Sequence, residues 1–446
     1  MDPSRQHRNR ILYVTYDGLA DPLGRSQILP YLTGLSGLGH EITVISCEKP
    51  ALFDRDGQTI AAICNQAGIE WRALRYHKRP PILSGAYDTW RLTREALRLH
   101  RRHGFDIVHC RSYIGSVAGL SLKLDFGVPF VFDMRGFWAD ECVERGSWPR
   151  SNPLYRAVHA YMKRLEAQLL KHADHVISLT EAGLAPLNDM QISAGARAPV
   201  TVIPCCADFE HFLLPGREAR AAARLKLGIS AEAKVLLYQG AVGPWYLFEE
   251  MFDFFGAYLQ RHPSAVLLFV TLQSPDSVVS IGKRAGIDAD RIVVRGATRE
   301  EAPELMAAAD AGLFFLRPMP SMAASSPAKM GEMIALGLPI ISNAGVADVS
   351  AILTESGCGV SLESFDAEAY AAAILHLERP TMTAADIRAS GRRWFDLAEG
   401  VRRYDDVYRG LSAGMRESGR LRAEAALVQS RAEWSAVVTG GAAQGS

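Results

Sequence analysis

Ile11-Leu12-Tyr13-Val14, opening the run Ile11–Tyr16, is apolar at every position rather than at every second one. A strand of this kind needs an apolar environment on both faces, which a parallel sheet covered by helices supplies. Comparable runs follow at Glu41–Ser46, Asp106–Arg111, Val128–Asp133, His175–Leu179 and Val200–Pro204, separated by longer helical stretches. That rhythm predicts βαβ units. It breaks in a connector, roughly Cys205 to Ala231, with Pro215-Gly216 and an Arg/Ala-rich helical stretch. It then resumes with Lys234–Gly240, Ala265–Thr271, Arg291–Arg295, Ala311–Leu316, Leu338–Ser342 and Gly359–Leu362. The expected fold class is α/β, with two doubly wound Rossmann-like domains and ligands between the carboxyl ends of their strands.

Length and composition fit this reading. The 446 residues exceed one compact core, and 49 Lys and Arg balance 49 Asp and Glu. A zero formal charge argues against a dedicated nucleic-acid binder. The seven cysteines are scattered and never spaced C-x-x-C, so neither a disulfide framework nor a zinc ribbon is expected. No signal-peptide apolar region precedes Ile11, and no apolar run approaches the roughly 18 residues of a membrane span. The expected location is cytoplasmic, with any membrane contact peripheral on the inner face.

The most informative chemistry lies in Ser325-Ser326-Pro327-Ala328-Lys329-Met330-Gly331-Glu332-Met333-Ile334-Ala335-Leu336-Gly337-Leu338-Pro339. Ser326 as N-cap and Pro327 as first helical residue predict a helix here, with Met330, Met333 and Ile334 facing the core and Gly337 ending it. Lys329 falls in the first turn, where the helix dipole disfavours a cation unless an anion docks there. Glu332 follows on the same side, an acceptor suited to the paired hydroxyls of a ribose. Read on spacing alone, Lys329 and Glu332 are either a nucleotide grip or a surface i,i+3 pair worth a few tenths of a kcal/mol.

Here the chain resembles the retaining glycosyltransferases of family 4, which have the GT-B fold, over about residues 10–410. That family carries two Glu residues on this helix. The resemblance implies that Glu332 binds the donor's ribose and that Lys329, within a Ser-Ser-Pro-x-Lys-x-Gly-Glu variant, binds its diphosphate. The family's first Glu would fall at Ala324 and is missing.

Further stretches extend the resemblance. Tyr16–Gln27, with Gly24, looks like the family's first strand-to-helix loop, near the sugar. Asp133 and Arg135 end an apolar strand, where charge suits a site better than packing. The family often places a His near Arg135. Arg135 cannot act as a base, so it either holds an anion or pairs with Asp133 or Glu141. His109 reads as a satisfied core histidine, and Cys205-Cys206 replace Asn-Gly of a hinge stretch. Gly240 and Gly243 lie in a Gly-rich loop without the family's Arg and Lys, which shifts phosphate neutralisation to Lys329 with help from Arg317. Backbone around Arg295–Thr298 matches where the family holds the base, and Gly345–Asp348 resembles the loop that follows the strand after the donor helix.

Arg91, Arg94, Arg98, Arg101 and Arg102 fall on one helical pattern, just after Lys78-Arg79. This is either a solvated face or a surface for an anionic membrane. The domains are expected at 1–210 for the acceptor and 211–385 for the nucleotide sugar. Helices over 386–411 cross back to the first domain, and a tail over 412–446 is partly disordered.

The resemblance implies a retaining, metal-independent hexosyltransferase-type enzyme. It would take a sugar from a nucleotide-sugar donor to a glycan or lipid-linked acceptor in bacterial polysaccharide or cell-envelope synthesis. The implied catalytic residues are Lys329, Arg135 and Asp133. Glu332, Ser326, Gly240, Gly243, Arg295, Gly24 and Arg317 would hold the donor, with no metal and no cofactor beyond that substrate. The alternatives are a sugar-nucleotide epimerase or hydrolase on the same fold, or a non-catalytic nucleotide-binding scaffold.

Overall fold

A computed structural model describes residues 8–414. The first sheet holds β1 (Arg10–Thr15), β2 (Glu41–Glu48), β3 (Glu70–Arg75), β4 (Ile107–Arg111), β5 (Phe130–Asp133), β6 (His175–Ser178) and β7 (Val200–Val202). Its order is β3-β2-β1-β4-β5-β6-β7, parallel throughout. The second sheet holds β8 (Val235–Gln239), β9 (Val266–Val270), β10 (Ile292–Arg295), β11 (Ala311–Leu313), β12 (Ile340–Asn343) and β13 (Gly359–Leu362), ordered β10-β9-β8-β11-β12-β13 and again parallel. Both sheets are doubly wound. Together with their helices they form the two-domain α/β architecture of the GT-B fold.

The fully apolar runs became the central strands, as their burial shows. β3 was not among the expected strands. Its sequence, Glu-Trp-Arg-Ala-Leu-Arg, lies at a sheet edge with no residue fully buried, so the signal of a two-sided apolar strand is absent. The strand expected over Ala311–Leu316 stops at Leu313, because Leu316 hydrogen-bonds to Asn343 and forms an isolated antiparallel bridge with Tyr246.

The connector becomes the helix Arg217–Leu227. Helix Ala384–Phe395 then leads the chain back beside its own outward path. Ala207 donates to the Phe395 carbonyl at 2.7 Å, and Leu397 donates to the Ala207 carbonyl at 3.0 Å. A helix over 397–414 follows, placing Val401, Tyr404, Val407 and Tyr408 in the apolar cluster beneath β1 and β2. The expected tail from 412 is helical at its first three residues; the remainder of that expectation lies outside the described residues.

Candidate functional site

The helix that carries Lys329 and Glu332 runs Ala328–Ala335. Ser326 does not cap it. Pro327 occupies the N-cap position, and the Ser326 hydroxyl accepts a hydrogen bond from the backbone N–H of Cys205 at 3.1 Å. The Cys205 amide has captured the hydroxyl that local sequence assigned to the helix. Ser326 therefore ties the stretch after β7 to the start of this helix.

Lys329 and Glu332 are both buried, at 8% and 6% exposure, which excludes the surface-pair reading. Among the described residues, the Lys329 Nζ has no hydrogen-bond partner. It stands 4.0 Å from the ring centroids of both Tyr238 and Tyr246. Burial pushes the amine well below its usual range, with Glu332 opposing in part. Magnitudes decide the sign: desolvating an ammonium costs several kcal/mol, whereas a desolvated cation–π contact returns about 2 kcal/mol. An anion beside Nζ would restore its charge.

Gly240 completes this recess. Its φ is +116°, a conformation that favours glycine, and a Cβ there would lie 3.3 Å from the Lys329 Nζ and press on the end of that side chain. A Cβ on Gly243 would meet no atom within 4 Å, so that position does not require glycine for space. The Glu332 Oε2 accepts from Gln239 Nε2 at 2.6 Å. Burial raises the Glu332 carboxyl, while Gln239, Arg299 and Lys329 hold it down in part.

Arg299 was not singled out from sequence. Its guanidinium packs over Phe212 and reaches Asp208 at 4.0 Å, and burial depresses it while Glu332 supports its charge. It follows the β10 strand by four residues, and only the fold places that loop beside Glu332. Arg295 is exposed and donates to the Val294 carbonyl, while Arg317 is exposed with Nε 3.4 Å from the Pro244 carbonyl. The structure thus brings Lys329, Glu332 and Gly240 into one recess and leaves the side chains of Arg295 and Arg317 turned to solvent.

Across the cleft, Asp133 and Arg135 sit at the end of β5. Arg135 has φ +58° and a nearly buried guanidinium, with Nη1 3.9 Å from Asp133 Oδ1 and Nη2 3.2 Å from Cys205 Sγ. Asp133 Oδ2 accepts from the Tyr404 hydroxyl at 3.0 Å and lies 3.4 Å from His109 Nε2, whose Nδ1 pairs with Tyr408 at 2.5 Å. Arg135 and Asp133 thus face the hinge and the returning helix. His109 is the satisfied core histidine expected. Burial lowers its basicity, though Asp133 opposes this.

Gly24 is pressed against its own loop, since a Cβ would fall 2.0 Å from the Gly18 carbonyl. The buried Glu48 pins that loop by accepting from the N–H groups of Leu19 and Ala20 at 2.7 and 3.1 Å. Gly24 serves this close self-packing. Ala324, at the position of the missing Glu, is 4% exposed and packs into the first domain's apolar cluster. A Cβ on Gly183 would be 3.2 Å from it, and Thr180 Oγ1 donates to the neighbouring Ala323 carbonyl at 2.6 Å. Asp348 accepts from the N–H groups of Glu181 and Ala182 at 2.7 and 2.8 Å, drawing the same faces together.

Residues 25–206 match the family model described as Glycosyl transferase 4-like domain. Among curated proteins, the chain is similar to D-inositol 3-phosphate glycosyltransferase of Kineococcus radiotolerans, 27% identical over 32% of this chain and 31% of the relative. It is also similar to the protein of that name from a Nocardioides species, 23% identical over 70% of this chain and 69% of the relative. The chain spans about a third of the length of the Kineococcus relative and about half of that of a further protein of the same name, from Actinosynnema mirum, to which it is 24% identical. Among solved structures, Anabaena HepE in complex with UDP and glucose superposes with a TM-score of 0.64 at 16% identity, covering 90% of this chain and 99% of that one. Sucrose-phosphate synthase from Thermosynechococcus elongatus gives 0.65 at 16% identity, covering 91% and 100%. These likenesses establish the fold. No three His, Cys, Asp or Glu side chains are grouped to hold a metal among the described residues.

Proposed function

We propose that the protein is a glycosyltransferase that takes a sugar from a nucleotide-sugar donor held against the second sheet and passes it to an acceptor presented by the first. One observation carries this reading. The buried Lys329 amine lacks a hydrogen-bond partner among the described residues, faces the Gly240 loop, and lies one helical turn from a buried carboxylate at Glu332. A diphosphate beside Lys329 and a ribose hydroxyl pair on Glu332 would satisfy both groups at once. The family model and the UDP-bound and UDP-glucose-bound neighbours support the donor class.

In this reading Lys329 gains its proton as the diphosphate arrives and stabilises the negative charge that develops on the leaving phosphate. Gly240 lets the backbone approach, and Glu332 with Arg299 orients the nucleoside. Asp133 and Arg135 set the first domain's wall and its alignment with the hinge. Retention of configuration and independence of metal ions belong to this proposal, as does a glycan or lipid-linked acceptor of polysaccharide or cell-envelope type.

Calorimetric titration with UDP-, GDP- and ADP-sugars, followed by nucleotide release with and without acceptor, tests it. Binding, with release that depends on acceptor, is the expected outcome. Release or isomerisation without acceptor favours an epimerase or hydrolase, and failure to bind any of them overturns the donor assignment.

A further inference from the structure

Helix Leu83–His103 buries one stripe, Ser84, Asp88, Leu92, Ala96 and Leu99, against the first domain. Its opposite ridge is unusual for a surface helix. Leu83 is 68% exposed, Tyr87 50% and Trp90 53%, and the preceding Ile82 is exposed as well. Spacings of four and three residues place Leu83, Tyr87, Trp90 and Arg94 in one line, and Arg101 continues it two turns on. Tyr87 and Trp90 stack with centroids 6.0 Å apart, Arg94 lies over the Trp90 ring, and Arg101 lies over Phe126. One half of the ridge is thus aromatic and aliphatic, and the other half is cationic.

We propose that this ridge docks the protein on an anionic lipid bilayer. Charge complementarity selects the occupant. Arg94, Arg101, Arg102 and the nearby Lys78 and Arg79 are exposed, while the two acidic residues of the helix are engaged: Asp88 is buried against His77, and Glu95 and Arg98 neutralise each other. Tyr and Trp prefer the boundary between headgroups and acyl chains, where an apolar ring and a polar edge are both accommodated. The surface is a convex ridge, which enters a fluid interface directly, whereas a folded protein partner would need a matching groove.

The apolar end also lies beside the cleft. Tyr87 packs edge-on against His77 with centroids 5.3 Å apart, and the adjacent Tyr76, which follows β3, packs on Tyr16 just beyond the carboxyl end of β1, with centroids 5.5 Å apart. Docking there brings the mouth of the cleft close to the membrane, where a lipid-borne acceptor would be within reach. The docking itself needs no sugar nucleotide, so it stands or falls independently of the donor reading.

Co-sedimentation of the full chain with vesicles of phosphatidylcholine, alone or mixed with phosphatidylglycerol, tests the assignment. Wild type should bind the mixed vesicles, lose binding as salt rises, and bind neutral vesicles at least about tenfold more weakly. The triple variant Leu83→Ser, Tyr87→Ser, Trp90→Ser should lose about tenfold or more on mixed vesicles, and Arg94→Gln with Arg101→Gln should flatten the salt dependence. These positions are exposed, and unchanged melting temperatures would show that the variants fold. Failure of wild type to bind either vesicle, or binding by folded ridge variants equal to wild type, overturns the proposal. So does an acidic protein that binds this ridge while vesicles do not.

Discussion

The Lys329 side-chain nitrogen stands 4.0 Å above the ring of Tyr238 and makes no hydrogen bond among the described residues. A buried, unpartnered amine destabilises the empty fold, so its presence points to a ligand that completes it. Lys329→Met keeps the volume and removes the polar group. It should raise stability by about 1–3 kcal/mol in thermal or denaturant unfolding while lowering transfer by about 100-fold or more. A variant with wild-type activity would sink the phosphate assignment.

The same group predicts a pH signature. Burial holds the folded amine below its unfolded pKa, so between the two values the unfolded chain binds the proton and the folded chain does not. Stability should therefore rise with pH across that window and level off above the unfolded pKa, and the slope should shrink in Lys329→Met. Donor binding in that window should take up a proton. Calorimetry in buffers of different ionisation enthalpy measures this uptake, which should vanish in the variant.

Glu332 is expected to read the ribose. Glu332→Ala should weaken donor binding by about tenfold to 100-fold, on the scale of lost hydrogen bonds to a charged group. A donor lacking a ribose hydroxyl should lose affinity for the wild type and little further for the variant. Additive losses in that double-mutant cycle would remove the ribose role.

Ala324 marks a departure from the two-Glu pattern that the tertiary structure has absorbed. Ala324→Glu would press a carboxylate against Gly183 and into the first domain's apolar cluster. Overpacking with charge burial should cost about 3 kcal/mol, seen as a lower melting temperature with no gain in transfer rate. A stable, faster variant would show that the contact opens readily.

Tyr404 donates to Asp133 from the returning helix. Burial alone would raise the Asp133 carboxyl, yet Arg135, His109 and Arg111 draw it below its ordinary range. Such a group contributes stability above its unfolded pKa and loses it as pH falls through the folded value. Tyr404→Phe removes one donor from a buried carboxylate and should cost about 1–3 kcal/mol, with acid unfolding beginning at higher pH. An unchanged acid limb in circular dichroism would show that the hydroxyl does not support Asp133.

Legibility followed burial. The central strands and the Ala328–Ala335 helix were readable because two-sided apolar runs and helical spacing are local signals. β3 was not, since an edge strand half open to solvent carries no such pattern. Lys329 and Glu332 were identifiable as a pair, but whether they were surface or recess depended on Tyr238 and Tyr246, which lie about ninety residues earlier. Ser326 was misread for the same reason: a cap is a local preference, and a distant hinge amide outcompeted it. Arg299 gave no local signal at all.

By itself the sequence determined two parallel α/β sheets, their order along the chain and the helix that carries Lys329 and Glu332, because periodicity and burial act over a few residues. Only the tertiary structure decided which charges stay without a partner, which glycines are pressed by neighbours, and how the chain returns at Ala207 and Asp396 to brace Asp133 and His109. Those outcomes depend on contacts between segments up to about three hundred residues apart. No pattern confined to one segment encodes them.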